Sequence, residues 1–255
     1  MTGALEPMQI VFRTDASLEI GTGHVMRCLT LAAGFAAEGA EVHFLCRTHD
    51  GNLIDLIKHR GFMVQALSTA GEPDSSFLFP NGPAHATWLG GDWQSDVEQC
   101  RCALSGSVDW VIVDSYALDY QWESTMRAMC NHIMVIDDLA DRAHDCDVLL
   151  DQSLGRTVAD YRDFVATGTR LLLGPQYALL RPEFIQWRDI SLARRVSPEM
   201  RHILVTMGGV DRDNVTGRVL KVLKECRLTK LEQITAILGP SGPWYDAVSA
   251  LATDM

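Results

Sequence analysis

Short apolar runs alternate with amphipathic stretches along most of this chain, and several of the runs are apolar at every position. Continuous apolar strands are typical of parallel sheets that helices cover on both faces. The pattern predicts strands at residues 8–12, 41–46, 62–67, 110–113, 133–136, 148–150 and 170–173. It predicts helices at residues 25–37, 52–60, 93–104 and 120–130. Strands that alternate with helices indicate a doubly wound α/β fold.

A second α/β pattern follows a break near Pro198. A helix over residues 183–195 precedes the break, because a proline disfavours helical backbone in the residue before it. Strands are then predicted at residues 202–207 and 234–238, with helices at residues 214–226 and 244–251. We therefore expect two domains, residues 8–195 and 200–255. Two βα repeats are too few to bury both faces of a sheet, so we expect the second domain to be incomplete.

Composition narrows the function classes. Apolar residues make up 47% of the 255 positions, which is enough for a packed core, and the net charge is −11. An acidic chain is a poor general partner for nucleic acid or an anionic membrane, and no apolar run is long enough to span a bilayer. The seven cysteines form no C-x-x-C pair, and residues 1–7 lack the features of a signal peptide. We expect a cytoplasmic protein with reduced thiols, no nucleic-acid partner, no membrane insertion and a monomeric state.

The segment after the first predicted strand carries the main candidate site. Gly21 and Gly23 open a helix there, and a glycine-rich turn into a helix N-terminus can bind an anion. His24 stands at the start of that helix, where the helix dipole disfavours imidazolium. A neutral imidazole can accept a proton, so His24 is a candidate general base beside a bound anion, with Asp15 and Arg27 close in sequence. The alternative is a histidine that only packs the loop.

Other candidates follow the later strands, at the edge of the sheet where α/β folds bind ligands. Tyr116 and Tyr177 could stack on a sugar or base, or could equally pack. Asp137 and Asp138 could form a metal pair, but we favour a solvated loop with capping carboxylates. The Gly208–Gly209 turn is either a second phosphate-binding turn or an ordinary βα turn. Met26 replaces the last glycine of a dinucleotide fingerprint, which argues against NAD. Together the two glycine turns predict a nucleotide-sugar diphosphate bound between the domains.

Six motifs taken together resemble one family, the UDP-sugar hydrolases of pseudaminic acid biosynthesis and the similar proteins of spore-coat polysaccharide and flagellin modification. The motifs are Arg13-x-Asp15, Ile20-Gly21-x-Gly23-His24-x-x-Arg27-Cys28, Val113-Asp114-Ser115-Tyr116, Ile136-Asp137-Asp138-Leu139, Leu173-Gly174-x-x-Tyr177 continuing to Phe184, and Met207-Gly208-Gly209-x-Asp211. The resemblance runs from about Gln9 to the end of the chain.

The resemblance implies a glycosyltransferase-B-like fold of two Rossmann-like domains. It implies that water removes UDP from UDP-2,4-diacetamido-2,4,6-trideoxy-β-L-altropyranose with inversion and without a metal or other cofactor. His24 matches the histidine taken as the base, and Tyr116 matches a tyrosine near the sugar. The remaining positions implied to bind substrate are Asp15, Arg27, Tyr177, Gly21, Gly23, Gly208 and Gly209.

Two departures from the family pattern change the expectation. The chain ends at Met255, before a glycine-serine turn, a glutamate-bearing helix and an asparagine-glutamine motif, and Asp151-Gln152 stands where Asn-Gln is expected. We therefore expect a C-terminally truncated relative that binds UDP weakly on its own. Two alternatives stay open: a glycosyltransferase of the same fold, and a non-catalytic relative.

Overall fold

A computed structural model describes residues 6–69, 83–196, 199–226, 228–239 and 242–253. The sequence also predicts a loop over residues 68–91, and most of that loop lies outside these ranges, as does most of the segment over residues 1–7. The chain divides into two compact units, Met1–Leu180 and Arg181–Met255. The sequence placed the boundary after the helix at residues 183–195, whereas the structure places it before that helix.

The first unit is built on one parallel sheet of seven strands in the order β3-β2-β1-β4-β5-β6-β7. The strands are β1 Gln9–Thr14, β2 Glu41–Arg47, β3 Met63–Leu67, β4 Val108–Asp114, β5 Cys130–Ile136, β6 Val148–Asp151 and β7 Arg170–Leu173. The helices are α1 Gly23–Ala37, α2 Ile54–His59, α3 Trp93–Ala103, α4 Tyr120–Met126 and α5 Val158–Tyr161. The first three strands extend to one side and the last four to the other, so the strand order reverses between β1 and β4.

Successive residues of each central strand pack on opposite faces of this sheet. Val11 belongs to a core with α3 and α4, whereas Ile10 and Phe12 belong to a core with α1 and α2. The same alternation holds in β4, where Val111 and Ile112 lie in different cores. The prediction that the apolar runs are strands buried on both faces is confirmed for the central strands β1 and β4, whereas three of the five residues of the edge strand β3 are exposed.

One predicted helix is too long. The helix expected over residues 120–130 ends at Met126, a 3₁₀ turn covers Arg127–Met129, and β5 begins at Cys130. Cys130 lies opposite Val108 in the parallel register of β4 and β5, and this pairing overrides the local helical pattern. Asp92 caps the start of α3, because its carboxylate accepts a hydrogen bond from the Ser95 N–H at 2.7 Å.

The second unit has a parallel pair of strands, as the sequence predicts. Its elements are α6 Pro182–Arg194, β8 His202–Thr206, α7 Val215–Glu225, β9 Gln233–Ile237 and α8 Tyr245–Thr253. Its core is small and centres on Val205, Leu220 and Val248. No residue of α6 is buried.

The cysteines are unpaired in both units. Cys28, Cys46, Cys100, Cys130 and Cys146 are buried, while Cys102 and Cys226 are exposed. Burial raises the pKa of each of the five buried thiols. Five of the seven thiols are therefore buried. Across the described residues, we find no helix with the length and apolarity that a membrane crossing requires.

Candidate functional site

The candidate site lies where the strand order reverses. A ligand crevice forms at such a point in α/β sheets, because the loops that leave two neighbouring strands run to opposite faces. Here the neighbours are β1 and β4, which pair in parallel. The chain leaves β1 through a loop into α1, which begins with Gly23 and His24, and β4 ends with Asp114. The strand order therefore brings together residues that are 90 positions apart in the sequence.

His24 and Asp114 form a buried pair. The Nδ1 atom of His24 lies 2.5 Å from Oδ1 of Asp114. The carboxylate can only accept, so we assign the Nδ1 proton to this hydrogen bond and the free lone pair to Nε2. Nε2 makes no hydrogen bond with any residue that the structure describes. This leaves His24 as an oriented proton acceptor at the end of the sheet.

Arg27 fixes the same carboxylate from the next turn of α1. Its Nε donates to Oδ2 of Asp114 and its Nη2 to Oδ1, both at 2.6 Å, and its Nη1 donates to Asp138 at 2.9 Å. Burial would raise the pKa of Asp114, but His24 and Arg27 outweigh it and hold that pKa well below its ordinary value. Asp114 is therefore a carboxylate, and it can stabilise a proton that His24 takes up.

Tyr116 stands against the His24 ring. The two rings meet edge to face with centroids 4.5 Å apart, and the Tyr116 hydroxyl donates a short hydrogen bond to Asp138. Burial, together with the Asp138 carboxylate, raises the pKa of Tyr116 well above its ordinary value. Tyr116 therefore stays neutral, and Asp138 links it to Arg27.

The start of α1 is open to a ligand. Gly21 has a φ of +81°, which explains the glycine there, but a Cβ at Gly23 would meet no atom within 4 Å. Packing therefore does not account for Gly23. No side chain caps this helix, and its first turn has no acidic residue. The first N–H groups and the helix dipole thus face outward beside His24, as an anion site requires.

Asp15 lies in a different, internal network. Its carboxylate accepts from Nη1 of Arg13 and from the Arg47 backbone N–H, both at 2.7 Å. Arg13 and Arg47 also bind the buried carboxylate of Asp96, which accepts from the Trp122 indole as well. These side chains tie β1, β2, α3 and α4 together. Both oxygens of Asp15 are therefore engaged inside the first unit.

The expectation of a solvated acidic loop at Asp137 and Asp138 is wrong for Asp137, which is 1% exposed. It accepts from Arg142 and from the Tyr161 hydroxyl. The expected capping role of Asp137 is confirmed, because it also accepts from the Ala140 N–H at 2.9 Å. Burial would raise the pKa of Asp137, but Arg142 outweighs it and lowers that pKa. Asp138 points the other way, toward Arg27. No cluster of His, Cys, Asp and Glu suited to a metal ion occurs within the described ranges.

The Gly208–Gly209 turn leads into a helix whose terminus is already occupied. Asp211 accepts from the N–H groups of Val215 and Thr216 at 2.9 Å, and Asn214 accepts from that of Gly217. These bonds use the donors that a phosphate would need at the start of α7. The start of α1, by contrast, carries no such cap. The two glycine turns are therefore not equivalent.

Replacing Asp211 with alanine is expected to destabilise the first turn of α7 by about 1–2 kcal/mol, because two N–H groups lose their acceptor. Its φ of +42° adds strain that an aspartate or asparagine tolerates better than alanine does. Amide hydrogen exchange of Val215 and Thr216 measures the loss. Asp211→Asn keeps an acceptor and should retain most of the protection, and equal exchange in wild type and Asp211→Ala would contradict the capping role.

Tyr177 is not brought to His24 by any contact among the described residues. It ends a 3₁₀ turn at Pro175–Tyr177 and is 40% exposed. Its backbone N–H donates to the Gly174 carbonyl. A substrate-binding role for Tyr177 stays a prediction.

Asp114 and Asp138 are the site residues that sequence reasoning did not assign. Both follow apolar strands, which is where α/β sheets place ligand-binding residues. That position was the signal by which the sequence could have identified them. The sequence could not show which of the aspartates after the strands face His24, because this depends on the strand order. The structure selects Asp114 and Asp138 and turns Asp15 and Asp137 inward.

Comparisons with known proteins agree with the motifs. An uncharacterized protein of Methanocaldococcus jannaschii is 25% identical over 248 residues, which are 96% of this chain and 45% of that protein. The UDP-2,4-diacetamido-2,4,6-trideoxy-beta-L-altropyranose hydrolase of Campylobacter jejuni is 26% identical over 227 residues, which are 89% of this chain and 69% of the enzyme. The chain thus spans about half of the first relative and about two thirds of the second. No protein-family model matches it.

Among solved structures, MurG of Acinetobacter baumannii has a TM-score of 0.52 at 14% identity, covering 97% of this chain and 65% of MurG. This likeness confirms the expected glycosyltransferase-B-like α/β fold. The similarity to the Campylobacter enzyme confirms the resemblance that the motifs predicted. The chain is therefore similar, over most of its length, to a UDP-sugar hydrolase, and it shares the fold of MurG.

Proposed function

We propose that this protein hydrolyses a UDP-linked diacetamido-trideoxy sugar to UDP and the free sugar, as a step toward a pseudaminic acid-type product. The observation that carries the proposal is the His24–Asp114 pair at the reversal of strand order, with Nε2 of His24 left as a free acceptor. The similarity to the Campylobacter hydrolase supports the choice of substrate.

In the proposed reaction, Nε2 of His24 takes a proton from a water molecule. The water oxygen forms a bond to the anomeric carbon, the bond from that carbon to the phosphate oxygen breaks, and its electron pair leaves with UDP. Asp114 stabilises the imidazolium that forms, because Nδ1–H already donates to its carboxylate. UDP is a good anionic leaving group and needs little acid help, so a pair of catalytic carboxylates is not required.

Arg27 and Asp138 act through their neighbours. Arg27 holds Asp114 with two hydrogen bonds, which leaves that carboxylate little freedom to rotate away from His24. Asp138 holds the Tyr116 hydroxyl and so fixes the ring that packs against the imidazole. The uncapped start of α1 would receive part of the diphosphate.

The test is UDP release from UDP-2,4-diacetamido-2,4,6-trideoxy-β-L-altropyranose in ¹⁸O-labelled water, without an acceptor. We expect the label in the free sugar at its anomeric position and none in UDP. Label in the terminal phosphate of UDP would contradict attack at carbon. UDP release that depends on an added acceptor would favour the glycosyltransferase alternative, and no release from folded protein would favour the non-catalytic one.

A further inference from the structure

Two aromatic side chains that the proposed mechanism does not use stand beside Tyr116. The ring centroids of His85 and Trp88 are 4.2 Å apart, and they lie 5.6 Å and 6.0 Å from that of Tyr116. All three side chains are half-buried. We call His85, Trp88 and Tyr116 the aromatic wall. The wall reaches the His24 imidazole through Tyr116.

The wall is anchored rather than loosely placed. His85 precedes a 3₁₀ turn, Ala86–Leu89, whose last residue is buried in the core shared with α3 and α4. Gly90 ends the turn with a φ of +66°, and a Cβ there would lie 2.8 Å from Cε1 of His49. Any other residue there would have a strained backbone and would displace the His49 ring, so glycine suits this turn best. The sequence thus holds two partly exposed rings beside the candidate base.

Charge favours the sugar over the diphosphate as the group that meets the wall. The carboxylates of Asp114 and Asp138 lie next to Tyr116, and Arg27 neutralises only one of the two negative charges. The Arg142 guanidinium also lies over the Tyr116 ring, but Asp137 and Asp141 neutralise it. A diphosphate is better placed at the uncapped start of α1, which carries partial positive charge. An apolar, ring-lined surface matches groups that carry methyls.

We propose that Trp88 and His85 determine sugar specificity by packing on the methyl groups of a deoxy, N-acetylated sugar. This inference rests on the proposed function, whose substrate carries one methyl at C6 and one in each acetamido group. One methylene in an apolar pocket changes selectivity by about 10–200-fold. Trp88→Ala is therefore expected to weaken binding of the intact UDP-sugar at least about tenfold and to leave binding of UDP within about twofold.

The experiment uses the His24→Ala variant, which keeps the UDP-sugar intact, and saturation-transfer difference NMR, which detects weak binding. We expect the sugar methyl protons to receive more saturation than the uracil protons, and we expect Trp88→Ala to remove that excess. Titration gives the dissociation constants for the UDP-sugar and for UDP. Trp88→Phe retains an apolar ring and should preserve most of the effect even where alanine perturbs folding.

Trp110→Ala is the matched control. Trp110 also pairs with a histidine, since its ring centroid lies 4.7 Å from that of His132, but it lies in the first half of β4, away from Asp114. The Trp110→Ala substitution should leave the saturation of the sugar methyl protons unchanged. Equal affinity of His24→Ala and of the His24→Ala, Trp88→Ala double variant for the UDP-sugar, or an equal loss of affinity for UDP, would overturn the inference. Failure of the proposed function is a separate outcome, because it would be seen in the activity assay: the wild-type protein, with His24 present, would release no UDP.

Discussion

His24→Ala is expected to lower the turnover number for UDP release by about 10²–10⁴-fold, the usual contribution of a positioned general base. The Michaelis constant should change little, because the imidazole acts on water rather than holding UDP. The side chain is 8% exposed, and its Nδ1 is committed to Asp114, so Nε2 is the ring atom that is left to accept the proton. Steady-state assays of UDP release measure both constants.

His43→Ala is the matched control for that experiment. His43 also lies 3.0 Å from a carboxylate, that of Glu41, but it is exposed near the start of β2. It should retain wild-type turnover. Asp114→Asn should lose most of the turnover, because an amide N–H facing Nδ1 disfavours the tautomer that leaves Nε2 free. Turnover by His24→Ala within a few-fold of wild type would refute the role of His24 as base.

Asp96→Ala is expected to destabilise the first unit by about 3–5 kcal/mol, because it leaves buried positive charge without its partner. Arg13 and Arg47 both donate to this carboxylate, and all three side chains are fully buried. Urea unfolding followed by circular dichroism gives the free energy of unfolding. Asp92→Ala, which removes only the exposed cap of the same helix, should cost about 1 kcal/mol. Equal losses for the two variants would contradict the network's role.

The same carboxylate predicts a loss of stability in acid. Burial would raise the pKa of Asp96, but Arg13 and Arg47 outweigh it and lower the pKa to about 2. In the unfolded chain, the pKa of Asp96 has its ordinary value of about 3.9. The stability that ionised Asp96 contributes is therefore fully present when the pH is above that ordinary pKa, and it is lost as the pH falls toward about 2. Asp96→Ala should show a smaller decrease in unfolding free energy than wild type over this interval.

The sequence predicted the strands well and the polar contacts poorly. Runs such as Trp110–Val113 are apolar at every position, and only a sheet covered on both faces buries them fully. The glycines before His24 predicted a turn into a helix for local reasons. Such signals lie within a few neighbouring residues, so they can be recognised without knowledge of the tertiary fold.

Partners that are distant in the sequence could not be predicted in this way. Arg13 and Asp96 are 83 positions apart, and nothing near either residue indicates the other. Asp137 and Asp138 are adjacent, yet one is enclosed by Arg142 and Tyr161 and the other faces Arg27, because neighbouring side chains leave the backbone in different directions. The order of strands decides which loops reach the site, and the local backbone decides which of two adjacent carboxylates faces it.

The positions of the exposed thiols allow the unmodified chain to be labelled with fluorescent dyes. Cys102 is exposed in the first unit and Cys226 in the second, while the five other cysteines are buried. A thiol-reactive dye pair should therefore attach to one position in each unit of the unmodified protein. Energy transfer between the dyes would then test, without engineered cysteines, whether adding a UDP-sugar changes the distance between these two positions.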